Sequence, residues 1–345
     1  MNTQITELNT TPPNGCSDHI DLLDNSSLVL DPLPFYLTSQ KDVYNGRVGG
    51  RRVVVKSWRG MTACSSTQRR FTKRLHRELE TWHLAAQLHP NIAPFLGLVP
   101  CTHLGPVPAL IMEKYENGNA RDYLDRRKLG TGERIGEALR IMTAIADALR
   151  YLHTRTPPVA HGSIRGSNIL ISSTFSPLLT DLGMCNLPYP TDLTMMNARQ
   201  ALGDVRWMAP ELVVRDGSRN YVGVEGVVKC DGVGDEGEDG TGEKEEEDVY
   251  PIKPASDVYS FGMTLLELIT GQDPFSERRH AIAVLLDMTR GGRPARPSFG
   301  GDEDGGISDR LWDVMTSCWT HDPAERPDAP TVCAWIGLVR LTEGV

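Results

Sequence analysis

The sequence predicts an α+β protein with two lobes, a strand-rich first part followed by a helix-rich second part. At 345 residues the chain is too long for one small core, since single domains hold roughly 100 to 200 residues. Hydrophobic residues make up 39% and charged residues 23% of the sequence, which is typical of folded proteins. Strand signals dominate up to about residue 115 and helical periodicity dominates after it, which gives the order of the lobes.

A tail and a hairpin open the chain. Residues 1–30 are rich in Asn, Thr, Ser and Pro and lack a periodic apolar face, so we expect a disordered N-terminal tail. Residues 43–58 contain two β-segments around a glycine turn signal at 48–50. Three consecutive valines at 53–55 favour the second strand, which continues into Lys56.

Residues 68–87 have the spacing of an amphipathic helix. Its apolar face consists of Phe71, Leu75, Leu79, Trp82 and Ala86. Glu78 falls on this face, three residues after Leu75 and four before Trp82, so a helix would point its carboxylate inward. An ionised carboxylate in that position needs a cationic partner.

The second part consists mainly of helices around one short hairpin. After a strand-like run at residues 109–113, the pattern changes to helical periodicity at residues 137–153. The other predicted elements are the two strands of a hairpin and two core-facing helices, at residues 168–172, 177–181, 260–271 and 311–319.

The net charge is confined to one stretch. The chain carries 36 basic and 45 acidic residues, a net charge of −9. Residues 225–248 alone hold eleven acidic residues and two lysines, so the rest of the chain is neutral and offers no basic surface for nucleic acid. We expect an acidic loop insertion at residues 216–254, either simply solvated or used for docking or regulation.

The cysteines and the N-terminal residues indicate the cellular compartment of the protein. Seven scattered cysteines without a C-x-x-C pair fit neither a disulfide framework nor a zinc site. There is no signal-peptide pattern, and no apolar run approaches the ~18 residues of a membrane span. We therefore expect a soluble protein of the cytoplasm or nucleus that acts with a protein partner or substrate, without nucleic acid or membrane.

Several short motifs occur in one order along the chain. They are VVVK ending at Lys56, RELE containing Glu78, HGSIRGSN at 161–168, DLG at 181–183, MAPE at 208–211, SDVYSFG containing Asp257, and HDPAERP containing Arg326. Together they resemble the protein kinase family over roughly residues 37–337. The form HGSIRGSN is most similar to the HGDIKGSN variant of the tyrosine-kinase-like branch, which is numerous in fungi. The resemblance implies a bilobal protein-kinase fold, with a small β-rich N-lobe at about 31–115 and a larger helical C-lobe at about 116–340.

The resemblance implies a nucleotide cleft. In it Lys56 would bind the α- and β-phosphates of ATP, with Glu78 as the ionic partner of Lys56. An ion pair that only sets geometry is the alternative. The residues implied around adenine are Val43 and Val54 above it, Met112 as gatekeeper, Glu113 and Tyr115 of the hinge, and Leu170 below it. Their alternative role is ordinary core packing.

A metal site and three structural residues also follow from the resemblance. Asn168 and Asp181 match the family's two metal-binding positions, and their oxygen atoms suit Mg²⁺. ATP and Mg²⁺ are therefore the implied cofactors, although Asp181 could also be a turn residue. Glu211 and Arg326 match a buried ion pair of the family, and Asp257 is assigned a structural role with them.

The sequence departs from the family where chemistry would occur. Ser163 stands at the position of the catalytic aspartate, and a hydroxyl is too weak a base to replace a carboxylate whose contribution is typically about 10²- to 10⁴-fold. Arg165 replaces the usual catalytic-loop lysine and keeps its charge. Thr38 and Lys41 replace two glycines of the phosphate-covering loop. Lys41 could contribute a charge there, but its side chain fills the space of the backbone N–H groups. Gly162 replaces the arginine before the catalytic position.

Three hypotheses follow. The first is a pseudokinase, a kinase-fold protein that binds Mg·ATP and presents a surface to a partner as a signalling scaffold. The second is a weakly active serine/threonine or tyrosine kinase that transfers the γ-phosphate of ATP to protein hydroxyls. The third is a binding module whose cleft is closed to nucleotide.

Overall fold

The computed structural model describes residues 27–37, 41–59, 65–101, 103–187, 204–213, 252–299 and 306–343. Its architecture is bilobal and α+β, as the sequence predicts, with a β-sheet lobe followed by a helical lobe. Most of the acidic segment at 216–254, the position of Thr38, and residues 1–26 lie outside the described residues. No helix in the described ranges combines the length and the apolar character that crossing a bilayer requires.

The N-lobe is an antiparallel sheet. Its strands are β1 (Leu28–Leu30), β2 (Tyr36–Leu37), β3 (Lys41–Val48), β4 (Arg51–Trp58), β5 (Gly97–Val99) and β6 (Ala109–Glu113). They are ordered β1-β3-β4-β6-β5, and β2 also pairs with β3. The β3–β4 hairpin turns at Gly49 and Gly50, whose φ angles of 53° and 84° only glycine adopts without strain, and this turn fixes the register of the hairpin.

The end of the expected tail belongs to this sheet. The sequence predicts a disordered tail up to residue 30, but Leu28–Leu30 pair with β3 in the register Leu28↔Val48. Leu28 and Leu30 pack against the buried cluster of Val53 and Val55. A strand of three residues is too short to show an alternating pattern in sequence, and its pairing with β3 stabilises it instead.

The long helix α1 (Ser65–Leu88) covers one face of the sheet. Phe71, Leu75, Leu79 and Trp82 are fully buried, as the helical spacing predicts. The Trp82 indole donates to the carbonyl of Ala93 at 2.7 Å, which satisfies its buried N–H. This face of the sheet therefore packs on α1, while Val53 and Val55 face a separate cluster on the opposite side.

The C-lobe is built on two buried helices. Its elements are α2 (Ala120–Arg127), α3 (Thr131–His153), β7 (Ile169–Ile171), β8 (Pro177–Leu179), α4 (Pro254–Thr270), α5 (Ala281–Thr289), α6 (Asp309–Cys318) and α7 (Ala329–Thr342). Helices α3 and α4 supply most of the large apolar core. Gly262 of α4 lies against the ring of Trp319, where a Cβ atom would collide with the indole. The short hairpin β7–β8 lies between this core and the N-lobe and carries Asn168 and Asp181 at one end.

Candidate active site

Strand β4 presents one face to the cleft. Lys56 follows Val54 on this face, in alternation with the buried Val53 and Val55. Across the sheet Lys56 lies opposite Val43 of β3, and Val54 lies opposite Met112 of β6. The structure thus brings these four candidate nucleotide residues together on adjacent strands.

Two further candidate nucleotide residues, Glu113 and Tyr115, lie at the end of β6, and Leu170 lies in β7. Met112 is buried, and its sulfur accepts a long hydrogen bond of 3.6 Å from Thr180. Tyr115 and Leu170 pack against the same apolar cluster as Met112, whereas Glu113 is exposed. Burial, helped by Glu113, raises the pKa of Tyr115 to about 12, so its phenol stays neutral.

Two lysines hold the carboxylate of Asp181. Lys56 Nζ lies 2.5 Å from Oδ1, and Lys41 Nζ lies 3.0 Å from Oδ2. All three side chains are about nine-tenths buried. Burial alone would raise the pKa of Asp181, but Lys41 and Lys56 together bring it well below its ordinary value. The carboxylate is therefore ionised, and each of its oxygens accepts from a lysine. Burial lowers the pKa of Lys41, and the charge of Asp181 opposes this shift.

The predicted pair of Lys56 with Glu78 is not formed. Glu78 does point inward from α1, as predicted, but Arg74 Nε binds its Oε1 at 2.8 Å. Its other oxygen accepts from Asn186 Nδ2 at 3.3 Å. Asn186 ends a short 3-10 turn, Met184–Asn186, which packs against α1. Glu78 thus has Arg74 and Asn186 as neighbours, and burial raises its pKa. Lys56 pairs with Asp181 instead.

The segment around Ser163 is anchored by one carboxylate. Asp257, at the start of α4, accepts from the backbone N–H of His161 and of Gly162, each at 2.7 Å. His153 Nε2 lies 2.9 Å from the same carboxylate. His161 in turn bonds the carbonyl of Thr180 at 2.9 Å, which fixes this loop against the strand leading to Asp181. Burial lowers the pKa of His161, so the ring is neutral.

Gly162 could not carry an arginine in this arrangement. Its φ of +81° lies in the left-handed region, and a Cβ atom there would collide with the sulfur of Cys185 and with Ile252. Cys185 follows DLG by two residues, so the start of the next segment fills the space that a side chain would need. This glycine is therefore a structural requirement of the loop.

Ser163 and Asn168 form a local pair. Asn168 Nδ2 donates to the backbone oxygen and to the hydroxyl of Ser163, each at 2.9 Å. The carbonyl of Asn168 accepts from Thr180 N at 2.9 Å, which places Asn168 and Asp181 at the same end of the hairpin. The amide nitrogen of Asn168 is thus engaged by Ser163, and its amide oxygen is the atom suited to a cation.

Arg165 forms an ion pair with Asp204. Burial opposes its charge, but Asp204 and more distant anions raise the pKa of Arg165 above its ordinary value. The side chain is one-fifth exposed, so the guanidinium is held at the edge of the cleft.

Glu211 and Arg326 form a bidentate ion pair. Arg326 Nη1 and Nη2 lie 2.7 and 2.8 Å from the two carboxylate oxygens. Arg326 is fully buried and also donates to the carbonyls of Ala255 and Thr320. This pair ties the MAPE segment to the start of α4.

The motifs do not predict the contacts of two residues of the site, Lys41 and Arg74. The sequence indicates that Lys41 brings a charge to the phosphate-covering loop, but its pairing with Asp181 depends on a contact between residues 140 apart in sequence. Arg74 could have been found, because it precedes Glu78 by four residues, the spacing of neighbours on a helix.

Known proteins resemble this chain over most of its length. The family model of protein tyrosine and serine/threonine kinases matches residues 39–221 and 244–335. The serine/threonine-protein kinase CTR1 of Arabidopsis thaliana is 28% identical over 246 residues, which cover 71% of this chain and 24% of CTR1. The serine/threonine/tyrosine-protein kinase HT1 of the same plant is 25% identical over 292 residues, which cover 85% of this chain and 61% of HT1.

A third relative is the mitogen-activated protein kinase kinase kinase dlk-1 of Caenorhabditis briggsae. It is 27% identical over 238 residues, which cover 69% of this chain and 21% of dlk-1. This chain therefore spans less than two thirds of each of these relatives. The family match itself extends over both lobes and every motif described above, and the chain belongs to the protein tyrosine and serine/threonine kinase family.

Proposed function

We propose that this chain is a pseudokinase, a kinase-fold protein that binds ATP in the cleft and transfers phosphate slowly or not at all. The observation that carries this proposal is the anchored loop around Ser163. Asp257 and Thr180 hold this loop firmly, yet the side chain it presents is a hydroxyl bonded to Asn168. Loss of a general base costs about 10²- to 10⁴-fold in rate, and a serine hydroxyl cannot replace it at neutral pH.

ATP binding is supported by the arrangement of the cleft. Val43, Val54 and Met112 form an apolar wall next to the buried ammonium of Lys56. Tyr115 and Leu170 continue this wall at the edge of the lobe. An apolar wall for the base beside a fixed cation for the phosphates suits a nucleoside triphosphate.

The magnesium site fits less well. Asn168 and Asp181 are the implied ligands, and an oxygen-rich set would suit Mg²⁺. Both oxygens of Asp181 accept from ammonium groups, however, so a divalent ion bound to either oxygen would lie in near contact with a like charge. As arranged, the donor set does not fit the metal.

The chain acts, in this proposal, by presenting a surface to a protein partner. We propose that the chain belongs to the tyrosine-kinase-like branch and to its fungal type, because HGSIRGSN is similar to the HGDIKGSN variant of that branch. The family match breaks between residues 221 and 244, inside the acidic stretch, which supports a loop insertion there as a place for docking or regulation.

The second candidate is a weakly active protein kinase. The relatives are named serine/threonine or serine/threonine/tyrosine kinases, and the Glu211–Arg326 pair and the Asp257 anchor are intact. With that scaffold in place, a substrate hydroxyl could be phosphorylated slowly without a general base.

Phosphotransfer from radiolabelled ATP to the chain itself and to a generic substrate tests the choice. We compare the wild type with Ser163→Asp and with Ser276→Asp, a control that adds the same charge at an exposed position. The pseudokinase proposal expects near-background labelling of the wild type and the control, and an increase of about 10²-fold in Ser163→Asp. Wild-type labelling equal to that of Ser163→Asp would contradict the proposal and favour the active kinase.

A rise in melting temperature with ATP tests the binding half of the proposal, because a ligand that binds only the folded state stabilises it. No rise at millimolar ATP, with and without Mg²⁺, would favour the third hypothesis, a binding module with a closed cleft.

A further inference from the structure

Lys41 lies inside the cleft and is largely buried. It is the first residue of β3 and lies opposite Trp58 of β4. Its Nζ lies 5.2 Å from the centre of the Trp58 ring and 3.0 Å from Asp181 Oδ2. Only a tenth of its side chain is exposed. The Trp58 ring and the Asp181 carboxylate together hold the Lys41 ammonium. The ammonium therefore lies on the side of Asp181 that the family pattern leaves free for a metal ion.

The two lysines do what a divalent ion would do. A magnesium ion beside Asp181 would neutralise this carboxylate and bridge it to phosphate oxygens. Lys41 and Lys56 already neutralise it, with one ammonium on each oxygen. An ammonium carries three N–H groups, so it can hold a carboxylate and a phosphate oxygen at once.

A divalent ion would meet strong opposition in the same place. Mg²⁺ demands carboxylate oxygens at about 2.0 to 2.1 Å with near-octahedral geometry. Lys41 Nζ lies 3.0 Å from one such oxygen, so the ion and the ammonium would be like charges in near contact in a buried site. Arg165 adds a third cation at the edge of the cleft.

From this geometry we infer that the cleft binds the polyphosphate of a nucleotide without a divalent cation, with the Lys41 ammonium in the place that the metal would take. The inference rests on the proposed binding of ATP and adds the form in which ATP binds. Lys56 contacts phosphate from β4 and Lys41 contacts it from β3, while Asp181 positions both ammonium groups.

The test is isothermal titration calorimetry with ATP, once in excess EDTA and once in excess MgCl₂. For the wild type we expect affinity in EDTA within about threefold of that in MgCl₂. For Lys41→Met, which keeps the length of the side chain against Trp58, we expect a loss of about tenfold or more in EDTA, the order of one charge-assisted hydrogen bond. This variant should recover affinity when Mg²⁺ is added, because Asp181 Oδ2 is then open.

Two variants control for charge and for folding. Lys73→Met removes an exposed lysine of α1 and should leave both affinities unchanged. Lys41→Arg keeps the cation and should retain binding in EDTA. The comparison within the wild type needs no variant, so a misfolded Lys41→Met does not remove the test.

The outcomes separate this inference from the proposed function. Wild-type binding that requires Mg²⁺ overturns the metal-free inference and leaves ATP binding in place. Absence of wild-type binding in both buffers overturns both, and a gain of binding in Lys41→Met would then identify Lys41 as the group that closes the cleft.

Discussion

Removing the carboxylate of Asp181 should destabilise the fold more than removing any exposed acid. Asp181 accepts from Lys41 and Lys56, and all three side chains are about nine-tenths buried. Asp181→Asn leaves two like charges close together without a counterion. Breaking a buried ion pair by deleting one partner costs roughly 3 to 5 kcal/mol, because the remaining charge is uncompensated.

The expected magnitude lies at the lower end of that range. Both lysines retain about a tenth of their exposure and have flexible stems, so they can partly turn towards water. We expect a loss of about 3 kcal/mol in the free energy of unfolding, which for a chain of 345 residues lowers the melting temperature by about 4 °C. If Asp181 were only a metal ligand, Asp181→Asn would raise the free energy of unfolding in metal-free buffer, because it would relieve repulsion between acidic groups.

The assay is urea denaturation followed by circular dichroism, in buffer with EDTA. The matched control is Asp42→Asn, since Asp42 pairs with Arg59 at a more exposed position, where an ion pair contributes less than about 1 kcal/mol. The double variant Lys41→Met with Asp181→Asn should regain at least about 1 kcal/mol relative to Asp181→Asn alone, because one orphaned charge is gone. Equal stability of Asp181→Asn and Asp42→Asn would refute the reasoning, since the lysines would then not depend on this carboxylate.

Three further predictions concern the supports of the site. Arg326→Met should cost about 1.5 to 3 kcal/mol, measured by urea denaturation, because it removes the bidentate pair with the partly exposed Glu211 and the hydrogen bonds of the buried guanidinium to the carbonyls of Ala255 and Thr320; a loss below about 0.5 kcal/mol would contradict this role. Gly162→Arg, which restores the residue of the family pattern, should lower the melting temperature and reduce soluble yield, since the left-handed backbone and Cys185 leave no room for a side chain; a variant as stable as the wild type would show that the loop can rearrange. His161 has a lowered pKa in the folded state, so the unfolded chain binds more protons just below its ordinary value of about 6.5, and stability should fall as pH decreases through that window. His161→Gln should show a smaller fall between pH 7 and pH 5 in the same assay, and an identical pH dependence would assign the effect to other groups.

Local patterns predicted most of the fold. The helical spacing of Phe71, Leu75 and Leu79 gave α1 and its buried face, because helix periodicity acts within a few residues. The glycine pair at 49 and 50 gave the β3–β4 turn for the same reason. The strand Leu28–Leu30 was missed, since only its pairing with β3 stabilises it and three residues carry no period.

The site was harder to predict than the fold, because several charged side chains lie close together and the sequence does not show which of them pair. The motifs brought Lys56, Glu78 and Asp181 into one neighbourhood, and the sequence offered no means of deciding which acid the lysine binds. In the structure, Arg74 forms an ion pair with one carboxylate oxygen of Glu78 from one helical turn away, and Asn186 donates to the other oxygen. With Arg74 and Asn186 beside Glu78, the lysine pairs with Asp181 across the cleft.

Lys41 shows a different limit of the motif argument. A residue that replaces a glycine is naturally judged by what is lost, here the close approach of backbone N–H groups to phosphate. A lysine also brings a charge at the end of a long stem, and that charge acts on whatever the stem can reach. Because β3 pairs with β4 in the register Lys41↔Trp58, the stem lies along the ring and delivers the ammonium to Asp181. The replacement of a glycine by Lys41 therefore removes backbone contacts to phosphate but supplies an ammonium group that can bind it. The effect of Lys41 on phosphate binding depends on Asp181 as well as on the loop.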